Sequence, residues 1–297
     1  MTTTITHPAG TKIEGEARGC ISHALKQGGI DFGIRRERLI TLATTERSPT
    51  IIPNRVGLFR DDTGEYLATV GENYPVVENR DVFLPLEVLT GNGQFEVDLV
   101  GEFLGGRKAF VLLKSLIEDH DVAKDDRVGS YVLFATSHDG HGSLSGCTIP
   151  YRFNCSNAIA GAMRSSRCVS IVHNNSMRDR MRDLQNFASE VPGEFVKQCK
   201  KFQALSKVSV NLEAAENYLT ILEAPKRIVK SVIGTAEARD KNVRTLWTLY
   251  NGYNSYLNHE SSKDGASRLN SVLFGQGAKR DDRALSYALQ LVHYLAA

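Results

Sequence analysis

Hydrophobic and polar positions follow two different periods along the chain. From about Ile51 to Asn174, short runs of apolar residues alternate with polar ones, which is typical of β-strands. Beyond Ser176 the apolar residues recur at the spacing of amphipathic helices. The pattern therefore predicts an α+β fold, with an antiparallel β-hairpin core and packed helices, followed by a mainly helical C-terminal region.

The β-rich stretch predicts three hairpins, each made of two alternating segments joined by turn-forming residues. The first turn is Asp61 to Gly64, and the second contains Gly105 and Gly106. The third hairpin is the segment SYVLFATSHDGHGSLSGCTIPYRF. A short amphipathic helix is predicted between the first two hairpins, from Arg80 to Leu89.

Several helices are predicted after the hairpins. The first runs from Cys155 to Met163, with Asn154 as its N-cap. The segment MRDRMRDLQNFASEV is predicted to end near Pro192, and a separate amphipathic segment follows from Gly193 to Lys207. Further helices are predicted in NLEAAENYLTIL, in RTLWTLYNGYNSYLNHE and in RALSYALQLVHYLAA, with a loop between the last two.

These patterns divide the chain into an N-terminal arm (1–50), a β-rich core domain (51–175) and a helical C-terminal region (176–297). The arm is expected because its residues are polar and weakly patterned, apart from a short helix predicted within Gly15 to Gln27. No apolar run approaches the roughly 18 to 20 residues that span a bilayer, and the N-terminus lacks the pattern of a secretory signal. We therefore expect a cytoplasmic protein with no membrane partner.

The number and spacing of the cysteines bear on disulfides and on metal binding. The chain has five of them, an odd number, and none forms a CxxC pair. This spacing argues against a disulfide framework and against a zinc site. We therefore expect buried free thiols in a reducing compartment.

Charge is more informative in its distribution than in its sum of +2. Between Arg152 and Arg182 the sequence contains several arginines, no lysine and a single acid, Asp179. The planar guanidinium of arginine suits phosphate contacts and stacking on bases. Lysine-rich stretches follow from Lys197 to Lys207 and from Lys226 to Lys230. Such segregation is compatible with a basic groove, although solvated helix faces have the same composition.

Common catalytic motifs are missing from the sequence. It contains no GxxxxGK[ST], GxGxxG, GxSxG or HExxH segment, which disfavours a Walker-type ATPase. His138, Asp139 and His141 in SHDGHG have the residue types of a metal site or a nuclease. The same residues are also typical of a hairpin turn, which is the interpretation we favour. We accordingly predict no metal, no cofactor and no catalytic residue.

Two features favour contact with nucleic acid. The turn GGRK, Gly105 to Lys108, combines open backbone with two cations, which suits close approach to phosphate. An ordinary turn with solvated charges has the same composition. Four aromatic residues alternate along the third hairpin, where they could stack on bases or belong to the core: Tyr131, Phe134, Tyr151 and Phe153. Those around Trp247 are expected in the core or in a subunit interface: Tyr250, Tyr253 and Tyr256.

Several ordered segments carry a resemblance to a known family. They are EYLATVGENYPVVEN, LGGRKAFVLLKS, SYVLFATSHDG and TIPYRFNCSNAIAGAM, then TLWTLYNGYNSYLNHE and SRLNSVLFGQGAKRDDRALSYAL. In these segments the chain resembles the phage/plasmid-like proteins grouped as a domain of unknown function. The resemblance runs from about Ile51 to the C-terminus. It departs at Glu78, where family members often have glutamine.

At fold level this family resembles the single-strand annealing superfamily of RecT, Red-beta and Erf. The resemblance implies a phage or plasmid protein that binds and anneals single-stranded DNA without ATP, in homologous recombination. It also implies a homo-oligomer, in the form of a ring or a filament, and no cofactor. We expect contacts with the DNA from the following residues: Arg107, Lys108, Arg152, Asn154, Asn157, Arg164 and Arg167.

Two functions from other classes stay open at this point. One is a metal-dependent nuclease that uses His138, Asp139 and His141. The other is a protein-interaction or anti-defence module made by a mobile element.

Overall fold

The computed structural model describes residues 6–7, 10–42, 44, 47–124, 126–138, 144–152, 157–158, 168–171, 177–239 and 244–295. The chain forms two compact units, which are described separately below. Unit 1 comprises Met1–Lys114, Leu133–Gly146 and Val169–Ala188, and unit 2 comprises Ser115–Val132, Cys147–Cys168 and Ser189–Ala297. No helix among the described residues combines the length and the apolar character that crossing a membrane requires.

The strands and helices are numbered in chain order. The strands are β1 (Thr6–His7), β2 (Gly10–Lys12), β3 (Ile34–Ile40), β4 (Ile51–Arg60), β5 (Tyr66–Gly71), β6 (Phe95–Phe103), β7 (Lys108–Ser115), β8 (His120–Ala123), β9 (Asp126–Ser137), β10 (Leu144–Arg152), β11 (Asn157–Ala158) and β12 (Cys168–Ile171). The α-helices are α1 (Ile21–Gln27), α2 (Asn79–Phe83), α3 (Glu87–Thr90), α4 (Met177–Lys207), α5 (Leu212–Ile221), α6 (Lys226–Arg239), α7 (Leu246–His259), α8 (Gly265–Phe274) and α9 (Gln276–Leu295). Short 3₁₀ helices lie at Gly15–Gly19 and Leu84–Leu86.

The strands form two sheets. In the larger sheet the order is β1-β2-β6-β7-β9-β10-β11, with β8 beside β9 and β12 beside β10. The smaller sheet has the order β3-β4-β5 and is antiparallel throughout. Antiparallel hairpins followed by a helical C-terminal region confirm the predicted α+β fold class.

The first two predicted hairpins are confirmed, as β4–β5 and β6–β7. Their turns contain Gly64 with φ 73°, Gly105 with φ 67° and Gly106 with φ 93°, conformations that L side chains rarely adopt. The third hairpin corresponds to the neighbouring strands β9 and β10, and its turn lies outside the described residues. The helix predicted from Arg80 to Leu89 is present as α2, a 3₁₀ turn and α3.

The helix predicted from Cys155 to Met163 is wrong at its described positions. Asn157 and Ala158 form β11, and Asn157 is the Cα partner of Arg152 in an antiparallel pair. Pairing with β10 therefore makes Asn157 and Ala158 strand, and such pairing between segments is not visible in local composition.

The helix end predicted near Pro192 is also wrong, because α4 continues through this proline. A proline inside a helix removes one backbone hydrogen bond and costs about 3 kcal/mol. Burial of a stripe of apolar side chains on α4 offsets that cost. The stripe comprises Leu184, Phe187, Val191 and Phe195.

Helix α8 lies where a loop was predicted after His259. The Asp264 side chain caps this helix by accepting a hydrogen bond from the Ser267 amide.

The expectation of free cysteines is wrong for two of the five. Cys147 on β10 and Cys168 on β12 form a disulfide, with Cα atoms 4.4 Å apart on paired strands. Spacing along the chain does not show which strands become neighbours, which is why the pair was missed. Cys20 and Cys199 are free thiols, and burial raises the pKa of Cys199 to about 12. Cys155 lies outside the described residues.

Unit 1 has a core to which residues 10–34 contribute, within the segment expected to be an arm. Strand β2 pairs with β6 in the larger sheet. Several apolar side chains of this stretch are buried: Ile13, Ile21, Ala24, Leu25, Ile30 and Phe32. The domain boundaries near residues 50 and 175 stay a prediction.

Unit 2 has a largely helical core, to which β8 and the first residues of β9 also contribute. Trp247 lies in it, stacked at 5.0 Å on Phe202, and its indole nitrogen donates to Asp126 Oδ2 at 2.8 Å. Tyr250 and Tyr253 are buried in the same core, and the partly buried Tyr256 packs against it, in agreement with the core alternative for these aromatic residues.

Candidate nucleic-acid interface

The GGRK turn between β6 and β7 lies very close to the interior of unit 1. A Cβ atom on Gly106 would lie 2.9 Å from the Phe32 ring, and one on Gly105 would lie 2.3 Å from the Glu65 carboxylate. Both positions also have positive φ, so only glycine fits there without strain. Gly106 therefore sets the turn against the interior, Gly105 leaves room for the exposed Glu65, and the exposed Arg107 follows directly.

Beneath this turn lies a buried arginine whose hydrogen bonds are already satisfied. The Arg60 guanidinium stacks on Phe32 at 3.9 Å from the ring centroid. It donates to both carboxylate oxygens of Asp62 at 2.9 and 2.8 Å, and to Glu102 at 2.7 Å. These bonds, with Asp62 first and then Glu102, raise the pKa of Arg60, and the bond to Arg60 lowers the pKa of Asp62. Arg60 is thus a structural residue rather than a ligand-binding one.

Three of the segments that carry the family resemblance meet at a buried hydrogen bond in unit 1. Asn79 from VVEN is fully buried and donates its side-chain amide to Ile30 O at 3.0 Å. Its Oδ1 lies 2.8 Å from Nε2 of His138 in SHDG. The backbone nitrogen of His138 donates to Arg107 O in the GGRK turn at 2.9 Å. This chain of contacts holds the turn in place from its inner side.

The outer side of the turn faces an aromatic ring. The Arg107 guanidinium carbon lies 5.4 Å from the centroid of Tyr66, and Nε donates to Tyr66 O at 3.4 Å. Tyr66 in turn packs edge-on against Phe59, with centroids 5.6 Å apart. No acidic side chain of the described residues forms an ion pair with Arg107.

The rings belong to the outward side of the three-stranded sheet. Arg35, Phe59 and Tyr66 are direct Cα partners across β3, β4 and β5, so their side chains share one side of the sheet. A Cβ atom on Gly57 would lie 2.6 Å from the Phe59 ring, which covers this glycine. We call this surface the aromatic face, and define it as Arg35, Phe59, Tyr66, Thr69 and Arg107.

The aromatic face is accessible. Tyr66 is 39% exposed, and Thr69 and Arg107 are exposed. Arg35 is half exposed and forms an ion pair with Glu37 at 2.9 Å, an interaction that solvent weakens. The Tyr66 hydroxyl and the Thr69 hydroxyl lie 2.9 Å apart, which fixes the orientation of the ring. Rings held in place beside arginines are the groups with which proteins bind unpaired bases and phosphates.

The chain matches a known family model. The family model described as Domain of unknown function (DUF932) matches residues 66–285, well over half of the chain. The chain belongs to the DUF932 family. The match begins at Tyr66 and includes Asn79, Arg107 and His138, whereas Arg35 and Phe59 precede it. Searches of curated proteins and of solved structures found no match.

The other residues predicted to bind DNA have varied positions in this DUF932 chain. Lys108 is the first residue of β7, directly after Arg107, and is half-buried. In unit 2, Arg152 and Asn157 are brought opposite each other on β10 and β11. Asn154, Arg164 and Arg167 lie outside the described residues.

The aromatic candidates on the third hairpin divide in a similar way. Tyr131 and Phe134 are buried, so the core alternative holds for both. Phe153 lies outside the described residues, as does the side chain of Tyr151. Phe59 and Tyr66 were not predicted to bind DNA, although both lie in the first predicted hairpin.

The hypothetical metal site of this DUF932 protein is described only at His138. That side chain is buried and its Nε2 already contacts Asn79, whereas Asp139 and His141 lie outside the described residues. Elsewhere in the described part of the chain, no group of three or more His, Cys, Asp or Glu side chains is arranged to hold a metal ion.

Proposed function

We propose that this DUF932 protein binds single-stranded DNA on the aromatic face of unit 1. The observation that carries the proposal is the exposed Tyr66 ring, which packs edge-on against Phe59 and lies near the Arg107 guanidinium. An unpaired base stacked on an aromatic ring contributes about 1–3 kcal/mol, whatever its identity. Arginines beside the rings add phosphate contacts that release counterions from the strand.

The geometry favours a single strand over a duplex. The rings form a surface rather than an element that enters a groove, and bases in a duplex are already stacked on each other. A single strand can turn its bases toward Tyr66 and Phe59 while Arg35 and Arg107 contact its phosphates. Contacts of this kind distinguish bases poorly, so we expect little sequence preference.

The function extends to annealing. We expect homo-oligomers, rings or filaments, to align several aromatic faces along one strand, and a complementary strand to test pairing against it. Duplex stacking supplies about 1.4 kcal/mol per base-pair step, so a match is favourable without ATP. The setting we propose is homologous recombination of a phage or plasmid in the cytoplasm, by analogy with RecT, Red-beta and Erf, to which the sequence alone suggests a fold-level resemblance. Lys108, Arg152, Asn154, Asn157, Arg164 and Arg167 stay candidates for further DNA contacts.

A binding titration tests the proposal. Fluorescence anisotropy with a labelled strand of about 30 nucleotides, long enough for more than one binding site, gives the affinity. Repeating it between about 50 and 200 mM salt gives the number of phosphate contacts. We expect Arg107→Ala to weaken binding about tenfold and to reduce the salt slope by about 0.7.

The matched control is Arg127→Ala, which removes an exposed arginine of unit 2 that is paired with Asp121. We expect this variant to bind as the wild type does. If both variants lost the same affinity, Arg107 would act only through its contribution to the net charge. If the wild type did not bind the strand, the proposal would be refuted.

One observation favours the alternative of a protein-interaction module. The free end of the β3–β4 hairpin exposes several apolar side chains, which are Ile40, Leu42, Ile51 and Ile52. Exposed apolar groups of this kind are typical of protein contacts. Light scattering without DNA separates the hypotheses, because an annealing protein forms oligomers of its own chain and an interaction module stays small.

A further inference from the structure

The second candidate site lies in unit 2, where the segment FGQGAKR forms a close corner between α8 and α9. The Gly277 amide donates to Ser271 Oγ at 3.0 Å. A Cβ atom on Gly277 would lie 2.9 Å from the Ser271 backbone, so a larger residue does not fit without movement. This corner fixes the start of α9, where Lys279 and Arg280 follow.

A cavity of about 290 Å³ opens beside this part of α9. Its size is close to the lower end of the roughly 300–1,000 Å³ typical of small-molecule sites. The cavity is lined by Leu222, Glu223, Tyr253, Gln276, Lys279, Arg280 and Arg283. Three cations and one acid therefore surround the cavity.

The three cations differ in whether they already form hydrogen bonds or ion pairs within the protein. Arg283 donates to Ile221 O at 3.0 Å and lies 3.6 Å from the Glu223 carboxylate. Within the described ranges, neither Lys279 nor Arg280 forms an ion pair with an acid. Two positive charges at the cavity thus remain available for an anion.

Tyr253 forms the floor of the cavity, and this floor is uncharged. Tyr253 is 2% exposed, and its hydroxyl donates to Leu222 O at 3.1 Å. Burial raises the pKa of Tyr253 to about 12, although Arg280 and Arg283 act in the opposite direction. The hydroxyl is therefore protonated at neutral pH, and the floor adds no negative charge. Leu222 is also buried, and together the two residues close the bottom of the cavity with apolar atoms.

We propose that this cavity binds a small phosphate monoester, with the phosphate on Lys279 and Arg280 and the organic group against Leu222 and Tyr253. A phosphate monoester carries a charge of about −1.5 to −2 at pH 7, which matches two unpaired cations better than a monocarboxylate does. The site is independent of the aromatic face, and its ligand is a small molecule rather than a DNA strand.

Isothermal titration of the whole protein with adenosine 5′-monophosphate and with inorganic phosphate tests the site. We expect saturable binding of the nucleotide, tighter than that of phosphate because the organic group adds apolar contact. The double variant Lys279→Gln/Arg280→Gln should weaken nucleotide binding by roughly a hundredfold or more, since two hydrogen bonds to a charged group are lost. Binding should also weaken as the pH falls below about 6, where the phosphate takes up a proton.

The control is Arg227→Gln, which removes an exposed arginine that is paired with Glu260. It should bind the nucleotide as the wild type does. Equal binding by the wild type and the double variant, or no saturable binding of either probe, would overturn the proposal. The double variant should also keep the wild-type affinity for a single strand, which separates this site from the aromatic face.

Discussion

The interior and the surface of unit 1 use the same pair of groups, an arginine on an aromatic ring, with opposite consequences. Arg60 stacks on Phe32 inside the unit, and two carboxylates take up its hydrogen bonds. Arg107 faces Tyr66 at the surface, and no acid of the described residues pairs with it. An arginine near a ring therefore indicates a binding site only when its donors remain available, because a saturated arginine contributes to stability instead.

Removing each of the two arginines in turn gives the largest expected effect. Arg60→Met leaves Asp62 and Glu102 without their partner, and we expect a loss of about 3 kcal/mol in the free energy of unfolding. This lies at the lower end for a broken buried pair, because Asp62 is 45% exposed. Arg107→Met should change the free energy by less than about 0.5 kcal/mol. Urea denaturation measures both, and similar losses would refute the distinction.

The hydrogen bond that supports the turn gives the next largest effect. Asn79→Ala removes the buried amide that contacts Ile30 O and His138 Nε2, and we expect a loss of about 2 kcal/mol in the free energy of unfolding. The same urea titration provides the value. Asn92→Ala is a suitable control, because Asn92 is exposed and its side chain contacts only the nearby Gln94 among the described residues. Stability of the Asn79 variant equal to that of the control would mean that the buried contact does not hold the turn.

Substitution of Gly106 should have a smaller effect on stability. It separates the cost of backbone strain from the cost of close packing. Gly106 and Gly93 both have positive φ, at 93° and 72°, but a Cβ atom would meet Phe32 at the first and nothing within 4 Å at the second. Each alanine variant carries strain of about 1 kcal/mol or more. We expect Gly106→Ala to cost about 1 kcal/mol more than Gly93→Ala, through overpacking. A difference in thermal stability near zero would count against close packing of the turn on Phe32.

Much of the fold follows from the sequence, because its signals are local. The alternating runs and glycine turns predict the first two hairpins, and the GGRK turn is identified together with the exposed Arg107. The long-range partners of that turn do not follow. Neither Phe32 beneath it nor the contact of His138 with Asn79 leaves a signal in local periodicity.

The aromatic face was missed for a more specific reason. Leu58 pairs with Ala68, but Phe59 pairs with Tyr66, so a β-bulge at Leu67 shifts the register. Strict alternation from the buried Ala68 assigns Tyr66 to the inner side of the sheet. The bulge turns it to the outer side instead, where it meets Phe59. Periodicity cannot reveal such a shift, because one extra residue reverses every side-chain direction beyond it.

The most direct test of the central claim compares Tyr66→Leu with Tyr66→Phe in single-strand binding. Leucine removes the ring, whereas phenylalanine keeps it and loses only the hydroxyl that contacts Thr69. We expect the leucine variant to lose about 1–3 kcal/mol of binding free energy and the phenylalanine variant to bind nearly as the wild type does. Wild-type affinity in the leucine variant would contradict stacking on the aromatic face, and with it the proposed site.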